Sequence, residues 1–182
     1  LFKKLQKINC KLDILFIDDN SSDGTKKEIL KFTKIDKSIS YIFRPKKMGI
    51  GSAHKDGLKY AYKKRYDTIL TMDADGTHDP KYIKELLKFS KTYDLISTNR
   101  FTKKDSLKEW PIQRRFLTRL RYYLINILLN TNHDSSGAFR CYNAKKIKLK
   151  DILIAQNDGY SFFWESLYLI NKKGYSIKEI PV

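Results

Sequence analysis

The chain has 182 residues, enough for one domain with a sizeable core. Lys plus Arg number 37 against 20 Asp plus Glu, and the resulting formal charge of +17 favours an anionic partner: a phosphorylated substrate, an acidic lipid surface or nucleic acid. The lysines are scattered, which equally reflects a compositional habit of the source, while the two isolated cysteines, Cys10 and Cys141, exclude a disulfide framework or a thiolate metal cluster and suit a reducing compartment.

Residues 1–8 are apolar at positions 1, 2, 5 and 8, a helical spacing. Residues 13–17 form a compact apolar run that predicts a strand, which breaks into Asp18-Asp19-Asn20-Ser21-Ser22-Asp23-Gly24-Thr25 before a helix over 26–32. Asp23 reads as an N-cap for that helix. Asp18 and Asp19, at the strand's carboxyl end, are either the acidic start of a turn or acceptors for the N–H groups of a nucleobase and the hydroxyls of a ribose. A further strand over 40–43 is ended by Arg44-Pro45. Gly49-Ile50-Gly51 then opens a helix with Ala53, Leu58, Ala61 and Tyr62 near one face. Such a turn lets backbone amides approach a phosphate, although the full dinucleotide fingerprint is absent.

Residues 68–72, Thr-Ile-Leu-Thr-Met, lack clean alternation, which predicts a strand buried on both faces. Asp73 and Asp75 follow at its carboxyl end, then Gly76 in a tight turn and Asp79-Pro80 opening the next helix. Two carboxylates this close repel each other unless a cation or a proton sits between them. A divalent metal holding phosphate oxygens is the natural occupant of such a strand end, since Mg²⁺ takes one or two carboxylates and completes its shell with phosphate and water. Turn and capping residues on a solvated loop are the plainer alternative.

Residues 81–88 predict an amphipathic helix and 95–98 a strand closing at Asn99-Arg100-Phe101, so Arg100 also lies at a carboxyl end, facing a candidate diphosphate. Strands alternating with helices predict an α/β fold, a mostly parallel central sheet flanked by helices with ligands along one edge. Over 107–130, Ile112, Phe116, Leu120, Tyr123, Leu124 and Ile127 share one helical face, with Trp110 near the start and Arg114, Arg115, Arg119 and Arg121 crowding the first half. That is the composition of a helix lying in a membrane interface, or of a surface helix packing on the sheet. No apolar run is long enough to span a membrane. Residues 134–140 predict a turn into a short strand, 162–171 a helix with Gly174 as its C-cap, and 176–182 a last strand.

Four segments then stand in order: Phe16-Ile17-Asp18-Asp19-Asn20-Ser21-Ser22-Asp23-Gly24-Thr25, Gly49-Ile50-Gly51-Ser52-Ala53, Met72-Asp73-Ala74-Asp75 and Ser136-Gly137-Ala138-Phe139-Arg140. Together they resemble the inverting family 2 glycosyltransferases of GT-A fold, most closely the dolichyl-phosphate or polyprenyl-phosphate mannose synthases. The resemblance implies one catalytic domain over residues 1–182. It also implies truncation at both ends, because the family's first strand with its Pro-x-Tyr-Asn-Glu motif and its basic acceptor loop after the last strand are absent.

By the same resemblance, Asp73 and Asp75 hold Mg²⁺ or Mn²⁺ against the diphosphate of a sugar nucleotide, with Thr77 where some members use a Gln as third metal ligand. Asp18, Asp19, Gly51 and Asp73 are the expected nucleotide-sugar contacts. Asp75, Arg100 and Arg115 are the expected catalytic residues, and Arg114 and Arg119 the expected acceptor-phosphate contacts. Many relatives place a general base in a Glu-Asp pair, whereas Phe162-Phe163-Trp164-Glu165 lacks the Asp. A lipid phosphate is ionised at neutral pH and is its own nucleophile, so the missing base favours a phosphate acceptor and leaves Glu165 to orient the arginines. The expected activity is mannosyl transfer from GDP-mannose to a polyprenyl or dolichyl phosphate, with contact to an anionic membrane at its cytoplasmic face and no nucleic-acid partner. The alternatives are a UDP-glucose-dependent polyprenyl-phosphate glucosyltransferase, a haloacid-dehalogenase-type phosphatase with Asp73 as nucleophile in Asp73-Ala74-Asp75-Gly76-Thr77, and a basic nucleic-acid-binding module.

Overall fold

A computed structural model describes residues 1–8, 10–103 and 111–182. The elements run α1 (Phe2–Gln6), β1 (Ile14–Asp18), α2 (Thr25–Ile35), β2 (Ile39–Phe43), α3 (Ile50–Lys63), β3 (Thr68–Thr71), α4 (Ile83–Phe89), β4 (Leu95–Asn99), α5 (Ile112–Leu129), β5 (Arg140–Asn143), α6 (Leu149–Ile152), α7 (Ser161–Lys172) and β6 (Ile177–Pro181). A 3-10 turn at Pro80–Tyr82 leads into α4, and the Asp79 carboxylate caps it by accepting the Lys81 N–H, as Asp-Pro predicts. Of these elements, only α6 has no counterpart in the sequence reading. The start of the basic helix expected over 107–110, Trp110 included, lies outside the described residues.

β1 and β2 pair in parallel, and a second sheet has the order β3-β5-β4-β6. Within it β4 and β6 are parallel, while β5 runs antiparallel to both β3 and β4. Three strands of this sheet therefore share one direction and β5 is the exception to the mostly parallel arrangement. The cause is a connection that does not cross the sheet. The chain leaves β4 at Asn99 and re-enters at the same end, where Thr98 donates its N–H to the Phe139 carbonyl and Arg100 donates its N–H to the Asp134 carboxylate.

Alternation along β4 and β5 sends side chains into two cores. Leu95 and Tyr142 join Leu58 of α3 and Phe162, Phe163 and Leu167 of α7 on one face. On the other, Ile96 and Cys141 join Leu5 of α1 with Ile83 and Leu86 of α4. The sheet is thus the middle of three layers. β4, between two strands, is buried at every position. β3 departs from the expected two-sided burial: only Ile69 is buried, because β3 has a single strand neighbour among the described residues.

α5 differs from every other long helix. None of its 18 residues is buried, and Ile112, Phe116, Leu117, Tyr123, Ile127 and Leu128 are each more than 60% exposed. Packing on the sheet, one of the two sequence readings for this helix, does not occur. α5 touches the fold through its opposite side, where Tyr122 stacks on Phe101 and Arg121 reaches Ser136. No helix among the described residues is long and apolar enough to cross a membrane.

Candidate active site

Strand carboxyl ends gather the acids anticipated from sequence, but most of the first group are already engaged by the chain. Asp18 is 3% exposed and accepts the Ser21 N–H at 3.1 Å. Asp19 accepts the N–H groups of Met48 at 3.0 Å and Gly49 at 3.1 Å, and pairs with the buried Arg44 at 3.4 Å. Arg44 in turn reaches the Ser52 hydroxyl at 2.8 Å and Asp56 at 3.7 Å. A carboxylate thus occupies the turn amides that sequence reasoning reserved for a phosphate. Gly51 has a packing explanation as well, since a Cβ there would lie 2.6 Å from both the Gly159 carbonyl oxygen and the Phe162 Cβ. The two glycines let the start of α3 close on the segment before α7. Asp23 sits one residue ahead of the cap position and accepts from the Thr25 N–H and hydroxyl, while Gly24 is the N-cap.

The second group is open. The Asp73 N–H donates to His78 Nδ1 at 2.8 Å, which leaves the neutral imidazole's proton on Nε2. His78 stacks on Phe139, and burial lowers its pKa, with Asp73 and Asp75 opposing that shift. The Asp73 carboxylate lies between two imidazoles, 3.9 Å from His54 Nε2 and 4.0 Å from His78 Nδ1. Both distances exceed a hydrogen bond, so its lone pairs remain available. Asp75 accepts the Thr77 hydroxyl at 2.6 Å and the Thr77 N–H at 2.9 Å, and these bonds hold its carboxyl below the usual range. Thr77 therefore orients Asp75, with its hydroxyl hydrogen committed to that carboxylate. Among the described residues no group of three or more His, Cys, Asp or Glu could hold a metal. Asp73 and Asp75 still fit a hard divalent cation, an all-oxygen pair that leaves the rest of the shell to substrate and water.

At the carboxyl end of β4 stands a cation. Arg100 donates from Nε and Nη2 to the two oxygens of Asp134 at 2.8 and 2.9 Å, and from Nη2 to the Ser136 hydroxyl at 2.7 Å. Burial pushes Asp134 upward, and the Arg100 hydrogen bonds and charge outweigh it, leaving the carboxyl below its ordinary value. Asp73 is near enough to contribute to the Arg100 electrostatics. Arg121 reaches the same Ser136 hydroxyl at 3.3 Å, so two guanidiniums converge on one neutral oxygen. Glu179 of β6 completes the mounting, accepting the Asp134 N–H at 2.6 Å and the Asn99 amide at 2.7 Å. A shallow pocket between Phe101, Thr118, Tyr122, His133 and Ser136 opens alongside.

Arg100 lies within electrostatic range of Asp73 and His78. Arg114 and Arg119 are exposed on α5 and Arg115 is half-exposed, and no hydrogen bond ties Arg115 or Arg119 to Asp134 or Ser136. Glu165 does not orient the arginines. Its two oxygens accept the Gln156 and Asn157 N–H groups at 3.0 and 3.1 Å, fixing the segment that packs on Gly49 and Gly51. Sequence reasoning missed His54, His78 and Glu179. His78, five residues after Asp73, carried the only local signal, whereas His54 and Glu179 arrive from distant elements.

Comparison with known proteins adds to this geometry. The undecaprenyl-phosphate mannosyltransferase of Micrococcus luteus is 29% identical over 171 residues, covering 93% of this chain and 70% of that protein. The polyprenol monophosphomannose synthase of Mycolicibacterium smegmatis is 27% identical over 172 residues, covering 93% of this chain and 65% of its own length. In structure, the chain is similar to a putative nucleotide-diphospho-sugar transferase from Desulfovibrio desulfuricans G20, with a TM-score of 0.56 and 11% identity over 99% of this chain and 62% of that one. That likeness gives the same α/β fold. Residues 2–149 match the glycosyl transferase family 2 description, which sets aside the phosphatase reading of Asp73. The chain belongs to glycosyl transferase family 2.

Proposed function

We propose that this chain carries the catalytic machinery for moving a mannosyl group from GDP-mannose to a polyprenyl phosphate, with inversion at the anomeric carbon. The observation that carries the reading is Arg100, mounted on Asp134 and Ser136 and within electrostatic range of Asp73, which shares its strand end with Asp75. Such an edge suits two phosphorylated substrates side by side, one held through a cation and one through guanidinium. The relatives named for undecaprenyl-phosphate and polyprenol mannosyl transfer support the choice of sugar and acceptor class.

Asp73 and Asp75 would hold Mg²⁺ or Mn²⁺, which would supply charge neutralisation for the departing diphosphate. Thr77 fixes the Asp75 carboxylate, and His78 anchors the Asp73 backbone N–H. Arg100, with Arg121 beside it, holds the acceptor phosphate through Nη1, because Nε and Nη2 are committed to Asp134 and Ser136, and that contact orients one phosphate oxygen as the nucleophile. The acceptor needs no proton removed, in keeping with Glu165 being bound to two backbone amides. The exposed apolar stripe of α5, with the arginines near it, suits peripheral contact with an anionic membrane that carries the lipid acceptor. The free thiols Cys10 and Cys141 support placing that contact on the cytoplasmic side.

Calorimetric titration of GDP and of UDP, each with and without Mn²⁺, into the protein and its Asp75→Asn variant tests the donor half. Metal-dependent GDP binding that the substitution abolishes is the expected result. Preference for UDP moves the reading to glucosyl transfer, and binding of neither nucleotide overturns it.

A further inference from the structure

Arg140, at the start of β5, is fully buried, yet all its hydrogen-bond acceptors are neutral. Nη1 donates to the Ser166 hydroxyl at 3.0 Å, and Nη2 donates to the Ser135 carbonyl at 2.9 Å and the Phe163 carbonyl at 2.6 Å. Its Nε has no partner, and neither does the buried hydroxyl of Ser97, its cross-strand neighbour. The guanidinium lies 5.7 Å from the Phe163 ring, against the first turn of α7, where the helix dipole disfavours a cation. A buried charge without a carboxylate is costly, and an apolar side chain of similar volume would fill the same space without that cost. The arrangement calls for a role beyond packing.

The role lies in what the fork connects. Nη2 joins α7 to the turn that carries Asp134 and Ser136, and those two residues are the mounting of Arg100. Ser135 is the residue between them, so its carbonyl fixes how the turn faces β4. We infer that Arg140 is a positioning residue for recognition of the acceptor phosphate: by holding the Ser135 carbonyl it sets the Asp134 and Ser136 side chains that aim Arg100. The inference rests on the acceptor reading above. Lysine in its place keeps the charge but loses the planar fork, and so separates geometry from electrostatics.

The test compares calorimetric affinities for a short-chain polyprenyl phosphate and for GDP with Mn²⁺ across the wild type, Arg140→Lys, Arg140→Gln, Ser166→Ala and Arg100→Lys. Arg140→Lys and Arg140→Gln are expected to weaken acceptor binding by about tenfold while GDP affinity stays within about twofold. Ser166→Ala keeps the bond to the turn and leaves acceptor affinity within about twofold of wild type. Arg140→Lys combined with Arg100→Lys should lose less than the product of the two single losses, since both act through Asp134. Parallel loss of acceptor and nucleotide affinity, a Ser166→Ala loss as large as that of Arg140→Lys, or multiplicative losses in the double variant would each overturn the inference in favour of a packing role. If Arg140→Gln does not fold, Arg140→Lys decides. Acceptor binding that Arg140→Lys leaves intact overturns this inference alone, and absence of acceptor binding in the wild type overturns the acceptor reading together with it.

Discussion

α7 and α5 carry the same kind of apolar and aromatic periodicity but end in opposite surroundings. α7 buries Phe162, Phe163, Ser166, Leu167 and Ile170 against the sheet, whereas α5, half as long again, buries nothing. The difference is readable in charge more than in hydrophobicity. α5 contains four arginines and no acid, and its apolar stripe faces outward, while its Arg121 and Tyr122 side faces the fold. The lesson is that periodicity identifies an apolar face, and something outside that helix decides what covers it.

Truncation should separate the two helices most sharply. Leu167→Ala in α7 leaves a cavity in a fully buried site and is expected to cost about 2–5 kcal/mol, read as a lowered denaturation midpoint. Replacing Phe116 and Leu124 of α5 together by Ser is expected to change stability by no more than about 0.5 kcal/mol. The same pair should reduce partition onto phosphatidylserine vesicles by about tenfold or more, measured by co-sedimentation. A stability loss in the α5 variant comparable to that of Leu167→Ala would erase the contrast.

The smallest effect concerns the turn that links the two regions. Asp134 has a folded-state pKa below its unfolded one, so its contribution is complete above the ordinary carboxylate value of about 3.9 and is lost as pH falls through the lower folded value. Its slope cannot exceed about 1.4 kcal/mol per pH unit for one proton. Urea denaturation at pH 6 and pH 3 should therefore show a smaller acid-induced loss in Asp134→Asn than in the wild type. Equal losses would mean that the Arg100 pair does not couple to folding.

Strand ends were the most legible part of the site, because an apolar run breaking into acids leaves a local signature at Asp18, Asp73 and Asp75. What stayed hidden was competition for those groups. Asp19 binds the Met48 and Gly49 amides across thirty residues, and Glu165 binds Gln156 and Asn157, so neither carboxylate has the freedom its position suggested. Spacing tells where a carboxylate is; only the fold tells whether its lone pairs are taken. The reversed direction of β5 was hidden for a related reason: composition does not say whether a long excursion such as the one through α5 crosses the sheet or returns to the end it left.

The pairing of β3 with β5 has a consequence for how the protein comes off the ribosome. Thr71 pairs with Arg140 and Thr68 with Asn143, and among the described residues β3 has no other strand partner. At ordinary translation rates the strand bearing the acid pair waits roughly 4–14 s for its neighbour to be synthesised. During that wait α5 is made first, and none of its residues has a buried place against the sheet to wait for. Nascent chains would thus complete α5 before the strand pairing beside the acid pair closes, and the order of synthesis sets the order in which the exposed stripe and the paired edge become available.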